Sequence, residues 1–95
     1  MLKIKVESYE EVEDFLKYEK EKFFNEILSS IKKAWKEKID EIIVIQFMVG
    51  DESLIDLSIN EDDWGESLHL ALYHYESVEK YEKCIKIQKM IDEIL

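Results

Sequence analysis

Ile42-Ile43-Val44-Ile45-Gln46-Phe47-Met48-Val49 is β-branched and almost wholly apolar, and the turn-forming Gly50-Asp51-Glu52 follows it directly. Beyond the turn, Ile55, Leu57 and Ile59 alternate with Leu54, Asp56 and Ser58. Two strand-like runs joined by three turn residues predict a β-hairpin whose second strand has one solvated face. The first run has the composition of a central strand buried on both faces.

Upstream of the hairpin, Leu2, Ile4 and Val6 alternate with Lys3 and Lys5, the pattern of a third, half-buried strand. Ser8 and Glu11 are spaced as a capping box, and Glu10, Glu11, Glu13 and Asp14 fill a first helical turn. Val12, Phe15, Leu16, Phe23, Ile27, Leu28, Ile31, Ala34 and Trp35 then recur at helical spacing, with Lys32, Lys33, Lys36 and Lys38 gathered at the far end. No Gly or Pro interrupts residues 8–38, which predicts one long helix of about 45 Å at 1.5 Å per residue. Glu19 and Lys20 interrupt its apolar stripe and leave room for a break there.

Downstream, Asn60-Glu61-Asp62-Asp63 is an acidic loop with Asp62 or Asp63 placed to cap a helix. Trp64, Leu68, Ala71, Leu72 and Tyr75 share one face of that helix. A strand alternation of Leu68, Leu70 and Leu72 is the rival, and helix is favoured because the 64-to-75 spacing covers three turns. Residues 78–95 form an amphipathic helix with Tyr81, Cys84 or Ile85, Gln88, Ile91 and Leu95 in phase. With no linker or repeat, the expectation is a single α+β domain, 1–95. It holds a small three-stranded antiparallel sheet packed by one long N-terminal helix and a C-terminal helical hairpin.

Residues 68–95 resemble the helical hairpin of the UVR type, found in the excision-repair proteins UvrB and UvrC. Ala71 takes the place of the first-helix alanine, Tyr81-Glu82 that of the aromatic-acid pair, and Ile87, Ile91 and Leu95 the apolar stripe. Cys84-Ile85 stand where two alanines are usual, and Gln88-Lys89 replace Arg-Asp, so the match is to the hairpin's frame. In that family the hairpin pairs with another protein, so the resemblance implies a protein-binding or dimerising role and no repair function.

The 95 residues hold 23 acids against 13 basic residues, all lysine, for a net charge of −10. The charge is segregated: residues 1–36 balance, whereas residues 37–79 carry twelve acids and only Lys38. Such a chain disfavours direct contact with nucleic acid or anionic lipid. Without Arg it lacks the bidentate grip on phosphate and carboxylate, and it is better suited to be held by another protein's cations. No apolar run approaches the roughly 18–20 residues of a membrane span, and no cleavable leader precedes Lys3 and Lys5. One cysteine excludes an internal disulfide and points to a reducing cytoplasm.

Chemistry-bearing constellations are few. Cys84 lies on an apolar helical phase with no His nearby in sequence, as a small core residue does. His69 and His74 are five apart, about 140° around a helix, and cannot share a metal as an i, i+4 pair does. The acids match no calcium loop, neither hairpin strand contains the Lys of a nuclease triad, and Gly50 and Gly65 form no phosphate-cradling loop. No cofactor, metal or enzymatic activity is therefore expected. A row of carboxylates can instead occupy a cationic groove built for DNA or RNA. Asp51, Glu52, Asp56, Glu61, Asp62, Asp63 and Glu66 would be phosphate surrogates, with Trp64 as apolar anchor. In general character the chain is similar to small acidic phage anti-CRISPR proteins, several of which mimic nucleic acid.

The expectation is thus a non-enzymatic inhibitor of a cationic nucleic-acid-handling protein, such as a nuclease or CRISPR effector. Two alternatives stand beside it: an immunity or antitoxin protein neutralising a basic toxin, and a module that forms homodimers through its C-terminal hairpin.

Overall fold

A computed structural model describes all residues, Met1–Leu95. The chain runs β1 (Leu2–Val6), α1 (Tyr9–Tyr18), α2 (Lys20–Glu37), β2 (Glu41–Val49), β3 (Ser53–Asn60), a 3₁₀ turn (Glu61–Asp63), α3 (Trp64–Ser77) and α4 (Tyr81–Ile94). The three strands lie in the order β1-β2-β3.

The hairpin forms as the residue pattern dictates. Gly50 takes φ +61°, the left-handed region that costs glycine nothing, and Val49 pairs with Ser53 across the three-residue turn. The antiparallel register runs from there to Glu41 opposite Asn60.

The sheet is mixed, not antiparallel throughout: β1 pairs parallel to β2, Leu2 opposite Ile45 through Val6 opposite Val49. Parallel pairing needs a long crossover, and α1 and α2 are that connection, carrying the chain back to the end of the sheet where β1 began. The same geometry explains why the N-terminal helix is two helices and not one. A single 45 Å rod would overshoot strands of five and nine residues, about 16 and 30 Å long. Glu19, at φ −107° and ψ 46°, breaks it. Its N–H still donates to the Phe15 carbonyl at 2.8 Å, and its own carbonyl accepts from Phe23 at 3.0 Å, so the hinge costs little hydrogen bonding.

Only one face of β2 is covered, against the expectation of burial on both. A register shift between Ile43 and Ile45 leaves Val44 as an extra residue, a bulge that reverses the in-out parity. Val44 and the next residue, Ile45, are therefore both buried, as are Phe47 and Val49, while Gln46 and Met48 face outward beside Lys3 and Lys5. The parity change accounts for the adjacent Val44 and Ile45, while Met48 stays apolar on the open face.

The core lies between the covered face and α1, α2 and α3, with Ile27, Ile31, Ala34, Ile59, Trp64 and Leu68 buried against the strands. Phe15 meets Phe47 edge to face at 5.6 Å between ring centroids. A smaller cluster of Ala71, Tyr75 and Ile87 seals α3 against α4. Residues 67–75 are helical, as the 64/68/71/75 burial phase requires, and Leu70 of the rival alternation is exposed while Ala71 is buried. Cys84 faces that cluster and Ile85 faces solvent, so the bulk of Ile85 does not separate the helices. The Ser8–Glu11 box does not form: Ser8 makes no side-chain cap bond, and Glu11 Oε2 accepts at 2.6 Å from the Glu7 N–H, one residue before the cap. No helix is long and apolar enough to cross a membrane.

Candidate functional site: an acidic sheet edge

β3 is an edge strand, and the acids of residues 51–66 are strung along it. Asp51 and Glu52 occupy the hairpin tip. Asp56 sits mid-strand on the open face, where Gln46 Nε2 donates to its Oδ1 at 2.8 Å. Glu61, Asp62 and Asp63 form the 3₁₀ turn at the far end, and Glu66 lies in the first turn of α3, where the helix dipole favours it. The eight residues of β3 separate the two end clusters by about 26 Å. The array is therefore elongated, with a dense far end and a sparse middle.

All seven carboxylates belong to exposed residues. The ion pairs of the chain are Lys22–Glu19 and Lys80–Glu21, and neither involves this edge. The negative field of residues 51–66 is thus directed at solvent and not consumed by neighbouring lysines. Lys38 lines a small cleft with Trp35, Ile39, Asp40, Glu61 and Trp64, and Lys3 stands on the open face opposite Gln46, the donor to Asp56.

The expectation for Trp64 fails. Its side chain is 5% exposed and packs in the main core, so it offers a partner no ring. Its Nε1 is buried with no hydrogen-bond partner. The exposed apolar groups near the acids are instead Leu54 and Met48, which face each other across the hairpin on the open side.

Two acids missed in the sequence join the far end. The Glu61 N–H donates to the Asp40 carbonyl at 2.8 Å, Glu41 pairs with Asn60, and Ser58 Oγ donates to Glu41 Oε1 at 3.1 Å. Counting the register back from the turn puts Glu41 opposite Glu61, and the bulge moves it by one to Asn60; either count brings Glu41 to the end of β3, which was the signal available. Asp40, Glu41, Glu61, Asp62 and Asp63 thus gather where β2 begins and β3 ends.

The histidines and cysteine stand apart from this edge. His69 Nδ1 donates to the Gly65 carbonyl at 2.8 Å, and His74 stacks on Phe24 with ring centroids 5.0 Å apart. No three of the His, Cys, Asp and Glu side chains meet in a group that could hold a metal ion. Comparison of the chain with protein-family models, with curated proteins and with solved structures returns no match.

Proposed function

We propose that this chain is a non-enzymatic inhibitor that engages a cationic, nucleic-acid-handling protein through the β3 edge, in the manner of an anti-CRISPR nucleic-acid mimic acting in the cytoplasm. The observation that carries the reading is the unpaired, outward-facing carboxylate series from Asp51 to Glu66. Its charge density supports it. With Asp40 and Glu41 the edge carries nine carboxylates, two at the tip, one at mid-strand and six at the far end, against the roughly eight phosphates of one nucleic-acid strand over the length of β3. An immunity protein for a basic toxin would use the same electrostatics and would be distinguished by a toxin gene beside its own.

The test reverses Asp51, Glu52, Asp62 and Asp63 to Lys. The native chain, immobilised, is expected to capture a basic protein from bacterial lysate at low salt and to release it as the Debye length shortens. The captured protein's nucleic-acid binding should be blocked by the native chain and restored with the fourfold variant. Capture that is unchanged by the substitutions and insensitive to salt ends the reading.

A second reading, association through the C-terminal hairpin, is favoured by the exposure of Leu70, Tyr73, Tyr81 and Ile85 on α3 and α4. A strictly monomeric species in concentrated sedimentation runs would dispose of it.

A further inference from the structure

α2 and α4 run parallel, joined near their starts and separated further along. Near the starts, Lys80 Nζ donates to Glu21 Oε1 and Lys83 Nζ donates to Asn25 Oδ1. Tyr75 OH donates to the same Asn25 oxygen at 2.9 Å, so one amide ties α2 to α3 and α4 together. Beyond this anchor a groove of about 500 Å³ opens between the helices. Its floor is apolar, with Leu28, Trp35, Ile87, Met90 and Ile94, and Lys32, Lys83, Lys86 and Lys89 rim it against a single acid, Glu93. Lys33 and Lys36 continue the basic surface along the outer side of α2.

Four of the chain's 13 lysines thus line one groove, and two more stand on the outer side of its α2 wall, in a protein whose net charge is −10. None of Lys32, Lys33, Lys36, Lys86 and Lys89 takes part in an ion pair. Solvation of a helix surface does not require this: lysines on two helices 50 residues apart in sequence meet over exposed apolar area. Trp35 is 39% exposed there although its neighbours Ile31 and Ala34 are fully buried.

We infer that the α2–α4 groove is a docking site for an acidic amphipathic helix of a partner protein, distinct from the acidic β3 edge. Charge complementarity and size select that occupant. From Lys83 to Ile94 the α4 wall is about 16 Å long, three helical turns, and a third helix laid on two parallel helices would fill the floor with side chains at i, i+4 and i+7. Carboxylates flanking that stripe would meet the lysine rims. Nucleic acid satisfies the rims but supplies nothing apolar for the floor, and the −10 net charge repels it. A second copy lacks the complement as well, because the acids of residues 51–66 lie on a strand edge and a loop with Trp64 turned inward, and the acidic α1 already packs Val12, Phe15 and Leu16 against its own core.

The probe is a fluorescein-labelled 16-residue helical peptide with Leu at one i, i+4, i+7, i+11 face and Glu beside it. Controls are an isomeric peptide with the same residues out of phase and a 16-nucleotide single strand. Binding is read by anisotropy and by emission of Trp35, using Trp35→Phe to subtract the signal of Trp64. The phased peptide should saturate the protein and shift Trp35 emission. Its affinity should fall at least about tenfold in Lys86→Glu/Lys89→Glu and, from the opposite rim, in Lys32→Glu. All three positions are exposed, and circular dichroism checks that the variants fold. The inference is overturned by absence of saturable binding, by equal binding of the isomer or the oligonucleotide, or by folded variants of unchanged affinity. It is equally overturned if sedimentation shows a dimer that Lys86→Glu/Lys89→Glu dissociates, since a second copy then fills the groove.

Discussion

Tyr75→Phe removes one oxygen from the point where three helices meet, and its cost follows from the local geometry. The ring is fully buried, Lys83 Nζ sits 5.2 Å from its centroid, and the hydroxyl donates to Asn25 Oδ1 at 2.9 Å. Lys83 also donates to that oxygen, so loss of the hydroxyl leaves no orphaned acceptor. The expected penalty is the net value of one hydrogen bond, about 1 kcal/mol, and not the larger cost of a stranded polar group. A domain of 95 residues is stable by about 5–14 kcal/mol, so the variant folds and its urea midpoint drops by about 0.5–1 M. Asn25→Ala is worse, because it strands the buried hydroxyl. The double variant should therefore be more stable than the two single losses summed.

The same residue has an alkaline signature. Burial pushes the Tyr75 phenol above its ordinary value of 10, and the charge of Glu21 pushes it further the same way. With the folded value above the unfolded one, the stability contributed by the neutral phenol is complete below about pH 10 and is lost as pH rises through the folded value. The native chain should lose stability above pH 10 more steeply than Tyr75→Phe, and the gap between them should narrow. Urea titrations at pH 7 and above pH 10 measure both effects. A loss below about 0.3 kcal/mol at pH 7, with identical alkaline slopes, would refute the linkage drawn between Tyr75, Asn25 and α4.

Two further outcomes follow from positions outside the acidic edge and the groove. Glu79 holds φ +59° in the turn between α3 and α4, a conformation that favours glycine, so Glu79→Gly should raise stability by about 0.5–1 kcal/mol and the melting temperature by a few degrees; a lower melting temperature counts against it. Glu21 is held below its ordinary value of 4.5 first by its hydrogen bond from Lys80. Its contribution is present above pH 4.5 and fades as pH falls through the folded value, so Glu21→Gln should flatten that part of the acid titration, and an unchanged profile would remove Lys80–Glu21 from the anchor.

The hairpin was legible because Gly50-Asp51-Glu52 and the alternation behind it are local signals, and the 64/68/71/75 phase is local too. The partner of β1 was not: alternation of Leu2, Ile4 and Val6 defines a strand but carries no direction. The direction comes from the length and path of the connection. The break at Glu19 had no Gly or Pro to mark it, and it arises because a rigid rod cannot cover short strands. The acids were visible as a block, but their division between two ends of β3 needed the register. Trp64 was misassigned by its acidic neighbours although its own helical phase placed it with Leu68 and Ala71. The groove was invisible because Lys32 and Lys36 satisfy a helix dipole, and Lys86 and Lys89 a polar face, until Asn25 and Lys83 bring α2 beside α4.

The parallel pairing of β1 with β2 sets an order of assembly. Leu2 meets Ile45 across 43 residues, whereas β2 meets β3 across a turn of three and α3 meets α4 across a similarly short one. Short loops close at small entropic cost, so both hairpins are expected to form before the crossover docks. On the ribosome the consequence sharpens: β1 is translated before its partner and waits about 2–9 s for Ile45 to be made. Until β2 is made Leu2, Ile4 and Val6 have no sheet to join, and Lys3 and Lys5 between them are charges of the kind that oppose pairing of such a strand with another chain.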